Sequence, residues 1–140
     1  MFVGDFKLTL DAKNRIFIPA KIREELRGEL LVIRDFRSPC LKIYTPEEWE
    51  RKTEALAELP GKVRDSLFRA LYRTATMVTP DTQGRIVLTQ PLIDQAKIQK
   101  DVVIVACKNY AEIWSAELYK DETDHEDLAM LNEILDNSKF

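Results

Sequence analysis

The sequence predicts an α+β fold built from two copies of one unit, with further helices between and after the copies. An offset of 70 residues aligns DAKNRIF with DTQGRIV and LKIYTPEEW with AEIWSAELY, and such self-similarity marks an internal repeat. Within each copy, short apolar runs with strand periodicity alternate with short helical patterns. The length of 140 residues suits one domain, or two small halves that share a core.

Each copy begins with two strands joined by a polar turn. In the first copy FKLTL alternates like a half-buried strand, DAKNR supplies turn residues, and RIFIP resumes as a strand. Asn14 and Gly84 occupy equivalent places in the two turns, and Asn and Gly are the residues that best tolerate a left-handed backbone. The sequence therefore predicts a positive φ just before Arg15 and just before Arg85.

A short helix and a buried strand follow in each copy. Pro19 and Ala20 open the helix AKIREEL, and Pro91 lies in the first turn of its counterpart PLIDQAKI. The runs LLVIR and VVIVA come next, and their lack of polar alternation predicts strands covered on both faces. These strands are expected to form the core of a sheet or barrel.

Two helices are predicted between the copies. Thr45, Pro46 and Glu48 form a capping-box start for the first, which ends before Pro60 and Gly61. The second covers KVRDSLFRALYR, whose apolar residues recur at helical spacing. Because the helices are where the copies differ, they are interpreted as spacers or partner surfaces.

The chain ends in an acidic segment in which EDLAMLNEIL is predicted to form an amphipathic helix. Packing by Leu128, Leu131 and Leu135 would make it a solubilising terminal helix. Alternatively, its negative charge competes with an anionic ligand for a basic face elsewhere in the protein.

The formal net charge of -3 conceals an uneven distribution. Residues 1–100 carry 18 Lys and Arg against 14 Asp and Glu, whereas residues 101–140 carry 3 against 10. The first 27 residues hold a basic cluster made of Lys7, Lys13, Arg15, Lys21, Arg23 and Arg27. A basic face can therefore coexist with an acidic tail.

The composition argues against several classes of protein. The single histidine, His125, lies in the acidic DETDHED stretch, so a general base for hydrolysis is missing. Cys40 and Cys107 stand apart, without a CxxC or a neighbouring His, so reduced thiols are expected rather than a zinc site or a disulfide. No enzyme activity, catalytic residue, metal or cofactor is expected. No apolar run approaches the roughly 20 residues that span a bilayer, which favours a cytosolic location.

The doubled D-x-x-x-R ahead of a strand, the opening MF-x-G and the repeat spacing resemble the MraZ family, whose members are built from two SpoVT/AbrB-type units. The resemblance runs from Met1 to about Tyr119. It implies a swapped-hairpin or double-psi-like β-barrel formed by the two internal repeats, with peripheral helices. The implied organisation is a first SpoVT/AbrB-type repeat over 5–47, linker helices over 48–75, a second repeat over 76–119 and an acidic C-terminal helix over 120–140.

The resemblance also implies a function. Members are sequence-specific DNA-binding transcriptional regulators of the division and cell-wall gene cluster, which bind repeated G-rich promoter boxes as ring-shaped homo-oligomers. Repression of the protein's own operon and a cytoplasmic, nucleoid-associated location are expected. The implied partners are double-stranded DNA and further copies of the chain, with no membrane and no small-molecule substrate.

The resemblance places DNA binding on Arg15, Lys13, Asn14 and Arg85, and the turns on Asp11, Asp81 and Gly84. The basic cluster adds Lys7 as a candidate phosphate contact. An Arg fork can bind a phosphate or pair with the O6 and N7 edge of guanine. Asp cannot favour DNA electrostatically, so both aspartates are expected to accept backbone N–H groups and orient the Arg. The second motif has no Lys between its Asp and its Arg, so it is expected to contribute less than the first.

Other interpretations remain open at this point. Each Asp and Arg of a motif could form only an internal salt bridge that pins a hairpin. Arg23 and Arg27, one helical turn apart, could be a solvated helix face. The chain could be an antitoxin-like protein-interaction module of the same fold. The aromatic residues Tyr44, Trp49, Phe68 and Trp114 are assigned to packing rather than to base stacking.

Overall fold

The computed structural model describes residues 1–140 and contains eight strands and six α-helices. The strands are β1 (Phe2–Thr9), β2 (Arg15–Phe17), β3 (Leu30–Arg34), β4 (Leu41–Tyr44), β5 (Thr76–Val78), β6 (Arg85–Val87), β7 (Asp101–Lys108) and β8 (Ala111–Ser115). The helices are α1 (Ala20–Glu25), α2 (Pro46–Thr53), α3 (Gly61–Tyr72), α4 (Gln90–Gln95), α5 (Ala116–Asp124) and α6 (Leu128–Asn137). A 3-10 turn over Glu54–Leu56 follows α2. The predicted α+β class is confirmed.

The strands form a six-stranded antiparallel sheet and a separate two-stranded ribbon. The order in the sheet is β1-β7-β8-β4-β3-β5, and the ribbon pairs β2 with β6. The first strand of each repeat therefore pairs with the core strand of the other repeat, β1 with β7 and β5 with β3. Neither repeat can complete its part of the sheet without the other.

The two repeats are related by a pseudo-twofold axis. At the centre of the ribbon Ile16 pairs with Ile86, and at the centre of the sheet Lys42 pairs with Glu112. Both pairs join positions that share the 70-residue offset. The symmetry is broken in the hairpins, because residues 35–40 connect β3 to β4 whereas only Asn109 and Tyr110 connect β7 to β8.

One main core lies between the sheet, the ribbon and the short helices. It contains 21 buried residues, among which Ile18, Ile22, Ile43, Leu92 and Ile104 are fully buried. Burying such a side chain contributes about 1.5–3 kcal/mol each. The strand β3 is buried on both faces, as its unbroken apolar run predicts. The two small clusters on the other face of the sheet lie under α2 and α3 in repeat 1 and under α5 in repeat 2.

The closed barrel that the resemblance implies is not found. Strands β1 and β5 are the open edges of the large sheet, and the ribbon is a separate sheet. The ribbon strands and β5 have three residues each, too short to carry a continuous ladder from one edge to the other. The swapped-hairpin description remains a prediction.

The first linker helix begins at the predicted Thr45 cap, and α5 begins with a similar cap at Ser115. The Thr45 hydroxyl accepts a hydrogen bond from the Glu48 amide, and the Ser115 hydroxyl accepts one from the Leu118 amide. The expected packing of the tail is wrong, because Leu128, Leu131 and Leu135 are all exposed. None of the helices combines the length and the apolar character needed to cross a bilayer.

Candidate nucleic-acid interface

The first D-x-x-x-R motif folds as a tight turn organised by one carboxylate. Asp11 Oδ1 accepts hydrogen bonds of 2.9 Å from the backbone amides of Lys13 and Arg15. Asp11 Oδ2 accepts from Arg15 Nε at 2.8 Å. Asn14, just before the arginine, has a φ of 59°, in the left-handed region that the sequence predicts. The backbone also closes on itself, since the Asp11 amide donates to the Arg15 carbonyl.

The second motif repeats this geometry. Asp81 Oδ1 accepts from the amides of Gln83 and Arg85 at 2.9 Å, and Asp81 Oδ2 accepts from Arg85 Nε at 3.0 Å. Gly84 has a φ of 80°. The two turns therefore have the same structure, even though only the aspartate and the arginine are identical between them.

Each aspartate fixes its arginine through Nε alone and leaves the other nitrogens of the guanidinium group unbonded. The Arg15 amide is the main reason that the pKa of Asp11 lies below its ordinary value, and the Arg85 amide does the same for the pKa of Asp81. Each guanidinium donates only through Nε, so its two terminal nitrogens make no hydrogen bond within the chain. The internal salt bridge is therefore present, and it leaves the fork of both arginines available to a ligand.

Both arginines lie on the outer face of the β2–β6 ribbon. Arg15 pairs with Val87 and Phe17 with Arg85, while Ile16 and Ile86 between them point into the core. Alternation along a strand therefore places all four outer residues on one face. Arg15 and Arg85 lie two positions apart along the ribbon, or about 7 Å. Their side chains are 27% and 28% exposed, so neither turn is more accessible than the other.

Arg23, which the sequence indicates only as a member of the basic cluster, joins this face. Its Nε donates to the Ile18 carbonyl at 2.8 Å, and its guanidinium lies 5.1 Å from the centre of the Phe17 ring. A Cβ added to Gly84 would lie 2.7 Å from Arg23 Cζ. Arg23 from repeat 1 therefore packs against the turn of repeat 2, and the solvated helix face suggested for it is wrong.

The absence of a lysine in the second motif is thus offset by an arginine from the other repeat. No pattern of neighbouring residues predicts this contact, because Arg23 and Gly84 are distant in the chain. The 70-residue offset gives only a hint: the position equivalent to Arg23 is Ile93, which is buried. The two repeats therefore differ at this position in both charge and exposure.

Not all of the remaining predicted residues lie near the ribbon. Lys13 is exposed at the tip of the first turn, and the Asn14 carbonyl accepts a hydrogen bond from the Leu88 amide. Lys7 lies in β1, opposite Val103, beside a groove lined by α5. The structure thus brings Lys13, Asn14, Arg15 and Arg85 together, and it leaves Lys7 outside this group.

The aromatic residues assigned to packing are engaged with one another. Trp49 Nε1 donates to the Tyr72 hydroxyl at 2.6 Å, and the Phe68 and Tyr72 rings stack. Tyr44 and Trp114 are buried in the two separate clusters on the sheet's outer face. Both cysteines are free thiols, and burial raises the pKa of Cys40 to about 12. No three side chains of His, Cys, Asp or Glu are placed to hold a metal ion.

Comparison with known proteins shows relatives along the whole chain. The profile of the family described as "MraZ protein, putative antitoxin-like" matches residues 1–66 and again residues 71–132. A transcriptional regulator MraZ of Clostridium tetani is 38% identical over 126 residues, covering 89% of this chain and 88% of the relative. The protein of the same name from Caldanaerobacter subterraneus is 36% identical over 141 residues, 98% of each chain. That of Carboxydothermus hydrogenoformans is 39% identical over 121 residues, covering 85% of this chain and 84% of the relative.

Proposed function

The chain belongs to the MraZ family of transcriptional regulators, and from that premise we propose that it binds double-stranded DNA through the outer face of the β2–β6 ribbon. The observation that carries the proposal is the set of three guanidinium groups on that face. Arg15, Arg85 and Arg23 are each fixed through Nε and each keep both terminal nitrogens free. A binding function explains why the terminal nitrogens of these arginines stay unbonded instead of forming a bidentate pair with a carboxylate of the chain.

The shape of the ribbon suits the major groove. A two-stranded β-ribbon fits the width of about 12 Å, and an arginine fork there pairs with the O6 and N7 of guanine. Because the aspartates and the turn backbone already fix each arginine, little conformational entropy is lost on binding. Guanine recognition by two or three arginines would account for a preference for G-rich boxes.

Self-association of the chain would supply the affinity for DNA that a single copy lacks. One chain offers few cationic contacts, and its net charge of -3 opposes approach to DNA at long range. A ring-shaped homo-oligomer that presents the ribbon several times to repeated promoter boxes would gain affinity through avidity. The proposal therefore includes a ring-shaped assembly that binds repeated promoter boxes. It also includes regulation of the division and cell-wall gene cluster, with repression of the protein's own operon. A cytoplasmic, nucleoid-associated location follows from the same function.

The test is a titration of the DNA upstream of the protein's own gene. Fluorescence anisotropy with that duplex and with a scrambled duplex would compare the wild-type chain with Arg15→Ala and with Arg69→Ala. Arg69 is exposed on α3, away from the ribbon, so its loss changes the charge equally without touching the interface. We expect Arg15→Ala to weaken specific binding at least roughly tenfold per site, while Arg69→Ala has little effect.

Salt dependence distinguishes this function from its alternative. Specific affinity should fall steeply between about 50 mM and 200 mM salt, because phosphate contacts release counterions. The antitoxin-like interaction module would bind a protein partner and show no affinity for the upstream duplex. Equal affinity of the wild-type chain and Arg15→Ala for that duplex would remove the ribbon from the proposal.

A further inference from the structure

The groove on the outer face of repeat 2 lacks the cover that its counterpart has in repeat 1. In repeat 1, Leu31, Pro46 and Trp49 line a groove closed at one side by Tyr72 and Ala75, which come from the end of α3 and the segment after it. The equivalent groove in repeat 2 lies between β1 and α5, and its lining includes Val103, Ala116, Tyr119 and Lys120. No residue of α6 contributes to it. The volume is about 360 Å³ in repeat 1 and about 590 Å³ in repeat 2.

The helix α6 occupies the place in chain order that α3 occupies after α2. In repeat 1 the helix packs: Leu71 lies against the cluster of Leu31, Ile33 and Tyr44. In repeat 2 the helix does not pack, because Leu131 and Leu135 are 41% and 39% exposed and the neighbouring Leu128, Met130 and Ile134 are more exposed still. An open apolar groove and an unpartnered apolar helix face are thus found in the same repeat.

The connection to α6 is too short for the helix to reach its own groove as α3 does. Residues 54–60 join α2 to α3, whereas only residues 125–127 join α5 to α6. Fully extended, these three residues span about 10 Å. Two of them are also committed to the helix ends, since His125 Nδ1 contacts the Asp121 carbonyl at 2.7 Å and Asp127 Oδ1 caps α6 through the Met130 amide. In the structure α6 does not lie in the groove beside it, since none of its residues lines the groove and its apolar side chains are exposed.

One cation beside the groove fits a carboxylate of this tail. The helix α6 and the two residues before it carry Glu126, Asp127, Glu133 and Asp136 and no Lys or Arg. The groove has Lys7 and Lys120 at its edges, together with the carboxylates of Asp101 and of Asp5, which accepts a hydrogen bond from the Tyr119 hydroxyl. The Lys120 ammonium pairs with Asp124, while the Lys7 side chain is exposed and directed to solvent beside the groove. Lys7 therefore has no carboxylate partner within the chain and is available to a carboxylate of a docked helix.

We propose that α6 of one copy of the chain docks its apolar face in the β1–α5 groove of a neighbouring copy. The docked helix covers the half-buried Ala116 and Tyr119, as α3 covers Trp49, the counterpart of Tyr119, within repeat 1. The contact is heterologous, since α6 and the groove are different surfaces, and it can therefore propagate from copy to copy and close into a ring. This inference rests on the self-association included in the proposed function, and it assigns that association to a particular helix and groove.

Disulfide trapping tests the docking directly. A chain carrying Thr123→Cys in the groove and Leu135→Cys in α6, with Cys107→Ser, would be oxidised and run on a non-reducing gel. Cys40 is retained, because its burial raises the pKa of its thiol to about 12 and keeps it unreactive. We expect a ladder of covalent oligomers, and neither single-cysteine chain should form one. Replacing Leu135→Cys by Ala129→Cys, on the opposite face of α6, should abolish the ladder.

Each other outcome would overturn the proposal. A monomeric band of increased mobility would show that α6 folds back on its own chain. Dimers formed by the Leu135→Cys chain alone would show that two α6 helices pair with each other. The absence of any crosslink would show that the groove binds no α6. None of these readouts uses DNA, so failure here and failure of the ribbon to bind the upstream duplex are independent results.

Discussion

Lys42 and Glu112 face each other across the pseudo-twofold axis, with Lys42 Nζ 3.9 Å from a Glu112 carboxylate oxygen. Lys42 Nζ also lies 3.3 Å from Asp35 Oδ2, and the side chains of all three residues are largely buried. In a pair of identical subunits a residue at this position would meet its own copy and produce two like charges. Joining both repeats in one chain allows opposite charges to occupy the axis.

Removing the lysine should therefore destabilise the fold. Lys42→Ala leaves the carboxylates of Asp35 and Glu112 without a cation in a mostly buried site, which costs about 3 kcal/mol in the free energy of unfolding. Urea denaturation at pH 7 measures the cost. Arg37→Ala is the control, because Arg37 approaches the same Asp35 at 4.0 Å but is 79% exposed, and its loss should change stability by less than about 0.5 kcal/mol. A cost below about 1 kcal/mol for Lys42→Ala would show that the three groups are not coupled.

Gly84 and Gly28 form a matched pair for testing the contact with Arg23. Both have positive φ, 80° and 78°, but a Cβ at Gly28 meets nothing within 4 Å whereas one at Gly84 meets the Arg23 guanidinium. Gly28→Ala should cost about 1–2 kcal/mol from backbone strain alone. Gly84→Ala should cost more than that and should also weaken DNA binding, because Arg23 must leave the ribbon face.

A double-mutant cycle isolates that displacement. In an Arg23→Ala background the cost of Gly84→Ala should fall to that of Gly28→Ala, since the obstructing side chain is gone. Urea denaturation gives the stabilities, and anisotropy with the upstream duplex gives the binding. Strict additivity of the two substitutions would mean that Arg23 moves aside without consequence.

Thr89 offers a stabilising substitution. The equivalent position in repeat 1 is Pro19, and Thr89 has a φ of -72°, which a proline ring accepts. The Thr89 hydroxyl is buried and makes no hydrogen bond. Thr89→Pro should raise the free energy of unfolding by about 1 kcal/mol, through a less flexible unfolded chain and the loss of an unsatisfied hydroxyl. Thr89→Val, which removes only the hydroxyl, separates these contributions, and a destabilised Thr89→Pro would indicate that the Thr89 amide is needed.

The turns should persist over the physiological range of pH. Because hydrogen bonds hold the Asp11 and Asp81 carboxylates ionised, their pKa values are depressed and their stabilising effect is complete above the ordinary value of 3.8. The effect is lost only as the pH falls below 3.8 towards the folded-state pKa. Carboxyl-carbon NMR titration measures both midpoints. In Arg15→Ala the Asp11 midpoint should rise only part of the way, because the backbone amide of residue 15 still donates; a full return to the ordinary value would assign the depression to the guanidinium instead.

Local features of the fold were predictable from the sequence, because neighbouring residues determine them. The strand β3, the Thr45 cap and the positive φ at Asn14 and Gly84 each depend on a few adjacent residues. The duplication also predicted two equivalent turns. The turn geometry of the candidate site was accordingly expected, while its role in DNA binding stays a prediction.

Contacts between distant residues were not predictable in this way. The apolar pattern of β1 fits many partners, and only the folded chain shows that it pairs with β7. The contact of Arg23 with the second turn likewise depends on how the two repeats pack against each other. The apolar spacing of α6 correctly predicted a helix with an apolar face, but periodicity does not show whether that face is covered within the chain.

The pairing of Phe2 with Lys108 has a consequence for how the protein is made. Because β1 ends at Thr9 and β7 begins at Asp101, β1 has no partner until more than 90 further residues have been synthesised. At ordinary elongation rates this delay lasts roughly 5–20 s. The sheet therefore cannot incorporate β1 until β7 has been made, and we expect a nascent chain that stops before β7 to expose its apolar residues to chaperones and proteases.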